Sequence, residues 1–168
     1  NEILDLALIE SGRLTPSMEP VSLEEVLLEC QDMVSSQAKK HGVTTTFPTL
    51  HADVVVLADR TRLKQVLINL LSNAIKYNRL GGTVHVTCTT DATGRVRVTV
   101  TDTGEGLSPE QLSGLFQSFN RLGRESGGEE GTGIGLVVSK RLIELMHGTI
   151  GVESTVGRGS AFWVELKA

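Results

Sequence analysis

Four polar side chains at helical spacing are the first candidates for chemistry. In Arg62–Tyr77, RLKQVLINLLSNAIKY, the residues Gln65, Asn69, Asn73 and Lys76 interrupt an otherwise apolar run. At about 100° per residue all four fall within roughly 40° of Asn69, along one edge of a helix. Leu63, Val66, Leu67, Leu70, Leu71 and Ala74 keep the i, i+3, i+4, i+7 spacing of a core-facing stripe, and Ile68 and Ile75 extend the apolar surface round a second side. Such a helix is buried on most sides, so its polar edge belongs inside the protein or along a cleft. A buried amide left unpaired costs about 1–3 kcal/mol, and lysine is rarely fully buried without a counter-charge. Two readings follow. The amides bond neighbouring backbone, or the strip faces a metal-bound phosphate, where asparagine oxygens suit a hard cation such as Mg²⁺ and the ammonium suits the phosphate.

A second candidate is Asp102. In RVRVTVTD the inward positions are Val96, Val98 and Val100, and the same parity turns Asp102 inward. A carboxylate there needs a donor. An Asx turn with Thr103-Gly104 would supply one; an adenine amino group would supply another, and the oxygen of guanine in its place would repel. Third is GTGIGL, Gly131–Leu136, entering a helix. Glycine-rich turns at helix N-termini expose N–H groups to phosphate, although they also serve as packing devices, and this one lacks the spacing of a Rossmann fingerprint or a P-loop. Between these lies LFQSFNR, in which Phe116 and Phe119 can anchor a lid in the core and Arg121 either reaches a phosphate or is simply solvated.

These groups must be positioned by the elements around them. Residues 1–12 read as the end of a helix, capped near Ser11-Gly12 and too short to stand alone. Arg13–Pro20 reads as a connector, and Ser22 with Glu25 opens a helix to about Lys40. Two short strands near Val43–Phe47 and Val54–Ala58 precede the central helix, for which Asp59 is the N-cap. Val84, Val86 and Cys88 alternate, as do Val96, Val98 and Val100, so a hairpin turns at Asp91–Gly94. From Thr103 to Gly135 the chain reads as a long lid-like segment with a short helix near Pro109–Leu115. A helix from about Gly133 to Met146 and strands at Thr149–Ser154 and Ser160–Leu166 close the pattern. One sheet with helices over one face is the economical arrangement, an α+β fold.

Bulk properties exclude several classes. The 168 residues are 39% hydrophobic and 21% charged, enough for one globular domain with its own core. A net charge of −4 gives no reason to expect nucleic acid or an anionic membrane. The two cysteines, Cys30 and Cys88, have no metal-like spacing, and a reducing compartment is the expectation. No apolar run reaches the length of a membrane span and no signal peptide opens the chain. The first residue is Asn and the last lies mid-pattern, so the chain reads as a piece of a longer one.

NLLSNAIKYN, DTGEGL, LFQSFNR, GTGIGL and GRGSAFWVEL stand in the order and spacing of the N, G1, F, G2 and G3 boxes. Over about Pro20 to Leu166 the chain thus resembles the catalytic, ATP-binding domain of two-component sensor histidine kinases. The resemblance implies the Bergerat fold, a two-layer α/β sandwich with a mixed, mostly antiparallel sheet and a long ATP lid, here about residues 103–133. It implies ATP and Mg²⁺ as cofactors, with Asn73 as metal ligand and Asn69 on the metal and phosphate side. Lys76 falls where the family contacts phosphate and Tyr77 at the nucleotide edge. Asp102 is placed as the adenine-reading carboxylate, Gly104 and Gly106 as the floor of the base pocket, and Leu107 and Ser160 beside it. Gly131, Thr132, Gly133, Ile134, Gly135 and Leu136 form the lid's end against the phosphates, with Arg121 approaching the γ-phosphate. Residues 1–14, ending in ALIESGRL, resemble the last turns of the dimerisation and histidine-phosphotransfer hairpin, and residues 15–20 the linker.

No histidine here stands in the family's phosphoacceptor setting, so the acceptor is expected on a hairpin outside this piece. His147 occupies a place where the family often has glycine. ATP-hydrolysing relatives of the fold carry a glutamate four residues before the metal-binding asparagine; here that position is Asn69, and an amide cannot serve as general base. The resemblance therefore implies phosphoryl transfer to histidine, with Lys76, Arg121 and Asn69 around the γ-phosphoryl. A response-regulator receiver domain is the implied downstream partner, a homodimer the implied state of the parent, a monomer that of this piece, and the cytoplasm its location. A degenerate nucleotide-binding module that signals by contact, and an ATP-hydrolysing relative, are the alternatives; the complete set of key side chains argues against the first and Asn69 against the second.

Overall fold

The computed structural model describes residues 2–50, 54–116 and 135–168. In chain order these form α1 (Glu2–Glu10), β1 (Glu19–Ser22), α2 (Leu23–His41), β2 (Thr44–Thr46), β3 (Val55–Ala58), α3 (Arg60–Lys76), β4 (Thr83–Thr90), β5 (Arg95–Asp102), α4 (Pro109–Ser113), α5 (Gly135–Leu145), β6 (Thr149–Thr155) and β7 (Gly159–Lys167). The main sheet runs β2-β4-β5-β7-β6, with β2 parallel to β4 and every other pair antiparallel. Helices pack on one face of it, which is the expected α+β sandwich.

One expectation needs correction. The pattern implies a single sheet and a connector over Arg13–Pro20, but Glu19–Ser22 is a strand, paired antiparallel with β3 in a separate two-stranded sheet. Pro20 lacks a ladder donor, which hid the strand from pattern reading; a two-stranded ribbon has only edge strands, where proline is tolerated.

The helix ends follow local chemistry. Ser22 caps α2, accepting from the Glu25 amide at 3.4 Å. Asp59 caps α3, its Oδ1 accepting from the Arg62 amide at 3.2 Å. Ser108 and Gln111 close a reciprocal capping box around α4, with Pro109 in the first turn.

The core runs between the helices and the sheet. On α3, Leu63, Val66, Leu67, Leu70, Leu71, Ala74 and Ile75 are buried, and they meet Val84 and Val86 of β4 and Val96, Val98 and Val100 of β5 in one cluster. The period-2 alternation of β5 therefore does what it predicts: three valines and then Asp102 enter the same buried face. Phe116 packs partly buried against the cluster, while Phe119 lies outside the described residues. Burial pushes the Cys30 thiol up to about 12, which keeps it protonated and unreactive.

Candidate functional site: a pocket between the central helix and the ends of β5 and β7

The C-terminal half of α3, the end of β5 and the start of β7 enclose a pocket lined by Asn73, Ala74, Tyr77, Asp102, Gly106, Leu107, Leu136, Ser160 and Phe162. Its walls are mostly apolar, with a few polar groups converging, as in small-molecule sites generally. Asp102 arrives at its inner end because β5 alternates. Its Oδ1 accepts from the Gly104 amide at 2.9 Å and from the Ser160 amide at 3.3 Å. The Asx-type bond is present, and it engages one oxygen. Among the described residues Oδ2 accepts no hydrogen bond. Burial raises the carboxyl's pKa above its ordinary 3.8, and the two backbone donors oppose that shift. A buried carboxylate with one pinned and one open oxygen is oriented to accept from a ligand N–H.

The loop after β5 is shaped by two glycines. At Gly104 a Cβ would stand 2.6 Å from the Tyr77 carbonyl oxygen, so only glycine lets the loop lie against the end of α3. Gly106 has φ +74, left-handed, and any side chain there would run into the Thr155 carbonyl. Leu107 is then fixed by its amide, which donates to Ser154 Oγ at 2.7 Å. Ser154 also donates to the Gly159 carbonyl at 3.0 Å and lies 2.7 Å from Ser160 Oγ. Ser154, Phe162 and Ala74 were not among the sequence-derived site residues. Ser154 belongs to the strand that pairs with the GRGSAF run, so its partner register across β6 and β7 was the available signal.

The polar edge of α3 divides between several partners. Asn73 lines the pocket, and its side-chain amide makes no hydrogen bond among the described residues. One turn earlier, Asn69 Nδ2 donates to Ser139 Oγ of α5 at 3.0 Å, and Ser139 is buried. Gln65 turns away to α1, donating to Asp5 Oδ2 at 2.8 Å. Lys76 stands half-buried, its Nζ 5.7 Å from the centre of the Tyr77 ring. Asn69 lines a second, larger cavity between α1, α3 and α5, together with Gly135 and Ser139. The structure thus brings Asn73, Tyr77, Asp102, Gly106, Leu107, Leu136 and Ser160 to one pocket, and places Asn69 and Gly135 in the adjoining cavity. Gly104 supports the pocket from behind. Arg121, Gly131, Thr132, Gly133 and Ile134 lie outside the described residues.

An α+β sandwich with a mostly apolar pocket at the C-terminal end of its central helix is the architecture of a nucleotide-binding class of domain. The chain belongs to the histidine kinase-, DNA gyrase B- and HSP90-like ATPase family, whose profile matches residues 58–168. Among curated relatives, the sensor protein GacS of Pseudomonas syringae pv. syringae is 42% identical over 175 residues, covering 99% of this chain and 19% of the relative. Among solved structures, full-length ShkA in complex with AMPPNP superposes with a TM-score of 0.84 at 31% identity, covering 99% of this chain and 34% of that one. Histidine kinase ThkA in complex with the response regulator TrrA superposes with a TM-score of 0.75 at 28% identity, covering 98% and 46%. The chain is an ATP-binding catalytic domain of the sensor histidine kinase type. It spans about a fifth of the curated relatives it matches first.

Proposed function

We propose that the chain is the part of a sensor histidine kinase that binds Mg-ATP and presents its γ-phosphoryl to a histidine on a dimerisation hairpin. The observation that carries this is the open Oδ2 of Asp102 in a mostly apolar pocket. That oxygen accepts from the adenine amino group, and Ala74, Leu107, Leu136 and Phe162 bury the faces of the base. Guanine in the same position would present an oxygen to a carboxylate, which is repulsive and selects against GTP.

The donor set of the polar edge suits Mg²⁺. Asn73 offers a hard oxygen with no competing protein partner among the described residues, and Asn69 offers its Oδ1 while Ser139 holds its Nδ2. When bound, the ion would neutralise phosphate charge and polarise the transferring phosphorus. This chain's own residues do the positioning: Tyr77 and Lys76 at the nucleotide edge, Lys76 as a cation for the phosphates, and Gly135 and Leu136 at the start of α5. The Gly131–Ile134 motif and Arg121 complete the phosphate side on the strength of their sequence alone.

No carboxylate stands at position 69, so water finds no general base there. A neutral imidazole nitrogen can attack phosphorus, and any base it needs can sit beside it on the hairpin. Transfer to histidine is therefore favoured over hydrolysis. Residues 1–14 are read as the last turns of the hairpin, residues 15–20 as the linker, and a receiver domain of a response regulator as the next acceptor. The parent is proposed to be a homodimer acting in the cytoplasm; among the described residues no helix is long and apolar enough to cross a membrane.

The test is phosphotransfer. A longer protein carrying the hairpin, given γ-labelled ATP and Mg²⁺, should acquire acid-labile, base-stable label of the phosphohistidine kind. Steady release of inorganic phosphate with no labelled protein would favour the hydrolytic alternative instead.

A further inference from the structure

The polar edge of α3 begins one turn earlier than the four residues that mark it in the sequence. Arg62 precedes Asn69 by seven residues, which at about 100° each puts it within roughly 20° of the same line. It is the first cation of that edge, and it is already engaged. Arg62 Nη1 donates to Asp5 Oδ1 of α1 at 3.2 Å and to Gln65 Oε1 at 3.0 Å, and Gln65 donates to the other Asp5 oxygen at 2.8 Å. The carboxylate of Asp5 is thus gripped on both oxygens by α3. Its side chain is 13% exposed and that of Arg62 26%, so water screens the pair only partly.

The trio shares the cavity between α1, α3 and α5 with Asn69, Gly135 and Ser139. Among the described residues lining it, Asp5 is the acid and Arg62 the base. From Arg62 to Asn69 is about 10 Å along the helix axis, a gap that an arginine side chain and the end of a triphosphate bridge between them. The nucleotide pocket at Asn73 lies one turn beyond Asn69, so a triphosphate laid along the edge points its terminal group toward Arg62.

We propose that Asp5 sequesters Arg62, so that seating of α1 on the domain and binding of a nucleoside triphosphate compete for one guanidinium. The inference rests on the ATP-binding reading above and adds a residue and a coupling to it. With α1 seated, Arg62 is neutralised and a carboxylate sits at the phosphate end of the cavity. With the terminal phosphate present, Arg62 turns to it and α1 loses the charged half of the grip on Asp5, leaving the Gln65 bond. Linkage makes the coupling reciprocal: whatever loosens α1 strengthens the triphosphate, and the triphosphate loosens α1. A diphosphate is one group too short to reach Arg62 and stays outside the coupling.

The test compares ADP with a non-hydrolysable ATP analogue, both with Mg²⁺, by calorimetric titration of the wild-type chain, Asp5→Asn, and Asp5→Asn/Arg62→Gln. The expected result is a three- to tenfold tighter analogue in Asp5→Asn, ADP within twofold of wild type, and no gain in the double variant. In the wild type, amide hydrogen exchange across α1 should speed up with the analogue and not with ADP. Equal tightening of both ligands, or an analogue affinity unchanged while ADP still binds, overturns the coupling and leaves the ATP-binding reading standing. Failure of the wild type to bind either nucleotide removes both.

Discussion

Ser160 and Asp102 are paired across β7 and β5, and the Ser160 amide donates to Asp102 Oδ1 at 3.3 Å. With the Gly104 amide on the same oxygen, this fixes the rotation of the carboxylate before any ligand arrives. The pocket is preorganised by sheet register, and the energy of orienting its carboxylate is met on folding rather than on binding.

If Asp102 reads the amino group of adenine, Asp102→Ala removes a charge-assisted acceptor. A loss of about 1.5–3 kcal/mol, roughly 10- to 150-fold in affinity for an ATP analogue, is expected. Asp102→Asn should also erode the preference over the guanine analogue. Titration of both variants against both nucleotides checks it, and unimpaired adenine selectivity would take Asp102 out of the pocket's working face.

Because burial raises the Asp102 pKa above 3.8, acid should act on binding sooner than an ordinary aspartate would allow. Accepting from the amino group requires the ionised form, so affinity is full above the raised pKa and falls as pH drops through it. The Asp102→Asn variant has no such step. Affinity measured from pH 7 down to the limit of the fold, in both proteins, separates this titration from general acid weakening.

Asn73 has no protein partner among the described residues, so Asn73→Ala should leave stability nearly unchanged while abolishing the Mg²⁺-dependent part of nucleotide affinity. Thermal melts and titrations with and without Mg²⁺ read the two effects apart. A large fall in Tm would instead make Asn73 structural.

Ser154 holds the Leu107 amide and touches Ser160, tying the loop after β5 to the turn between β6 and β7. Ser154→Ala leaves a buried donor of that loop unpaired, at about 1–3 kcal/mol. The expected outcome is a lower Tm together with weaker binding of both ADP and ATP analogues, since Leu107 lines the pocket that holds Asp102, on the side proposed for the base that both nucleotides share.

His147 follows α5 with φ +64, the left-handed position of a Schellman ending: its amide donates to the Glu144 carbonyl at 3.0 Å and the Gly148 amide to that of Ile143 at 2.9 Å. That conformation costs a non-glycine residue about 1–2 kcal/mol, so His147→Gly should stabilise the domain. A gain of about 1 kcal/mol corresponds to roughly 2–4 °C in Tm for a chain of this size, measurable in a thermal melt.

Much of this is legible in the sequence. The stripe of α3, the alternation that turns Asp102 inward, the caps at Ser22 and Asp59 and the hairpin turn are local patterns, and local patterns survive into the fold. The pocket's composition was legible because its polar members sit in short motifs. What sequence could not show is non-local. β1 announces itself only through pairing with β3, and its proline spoke against a strand. Gln65 was grouped with Asn69 and Asn73 by helical phase, yet phase says nothing of the neighbour opposite, which is Asp5. Ser139 and Ser154 carry no motif of their own; they matter through the partners that tertiary packing brings to them.

The central claim is that this domain binds Mg-ATP through Asn73 and Asp102, and it is tested most directly by calorimetric titration of the chain with a non-hydrolysable ATP analogue, with and without Mg²⁺, and with the guanine analogue alongside. The account predicts binding that strengthens with Mg²⁺ and is selective for adenine over guanine. A folded chain that binds neither analogue, or binds both alike regardless of Mg²⁺, would contradict it.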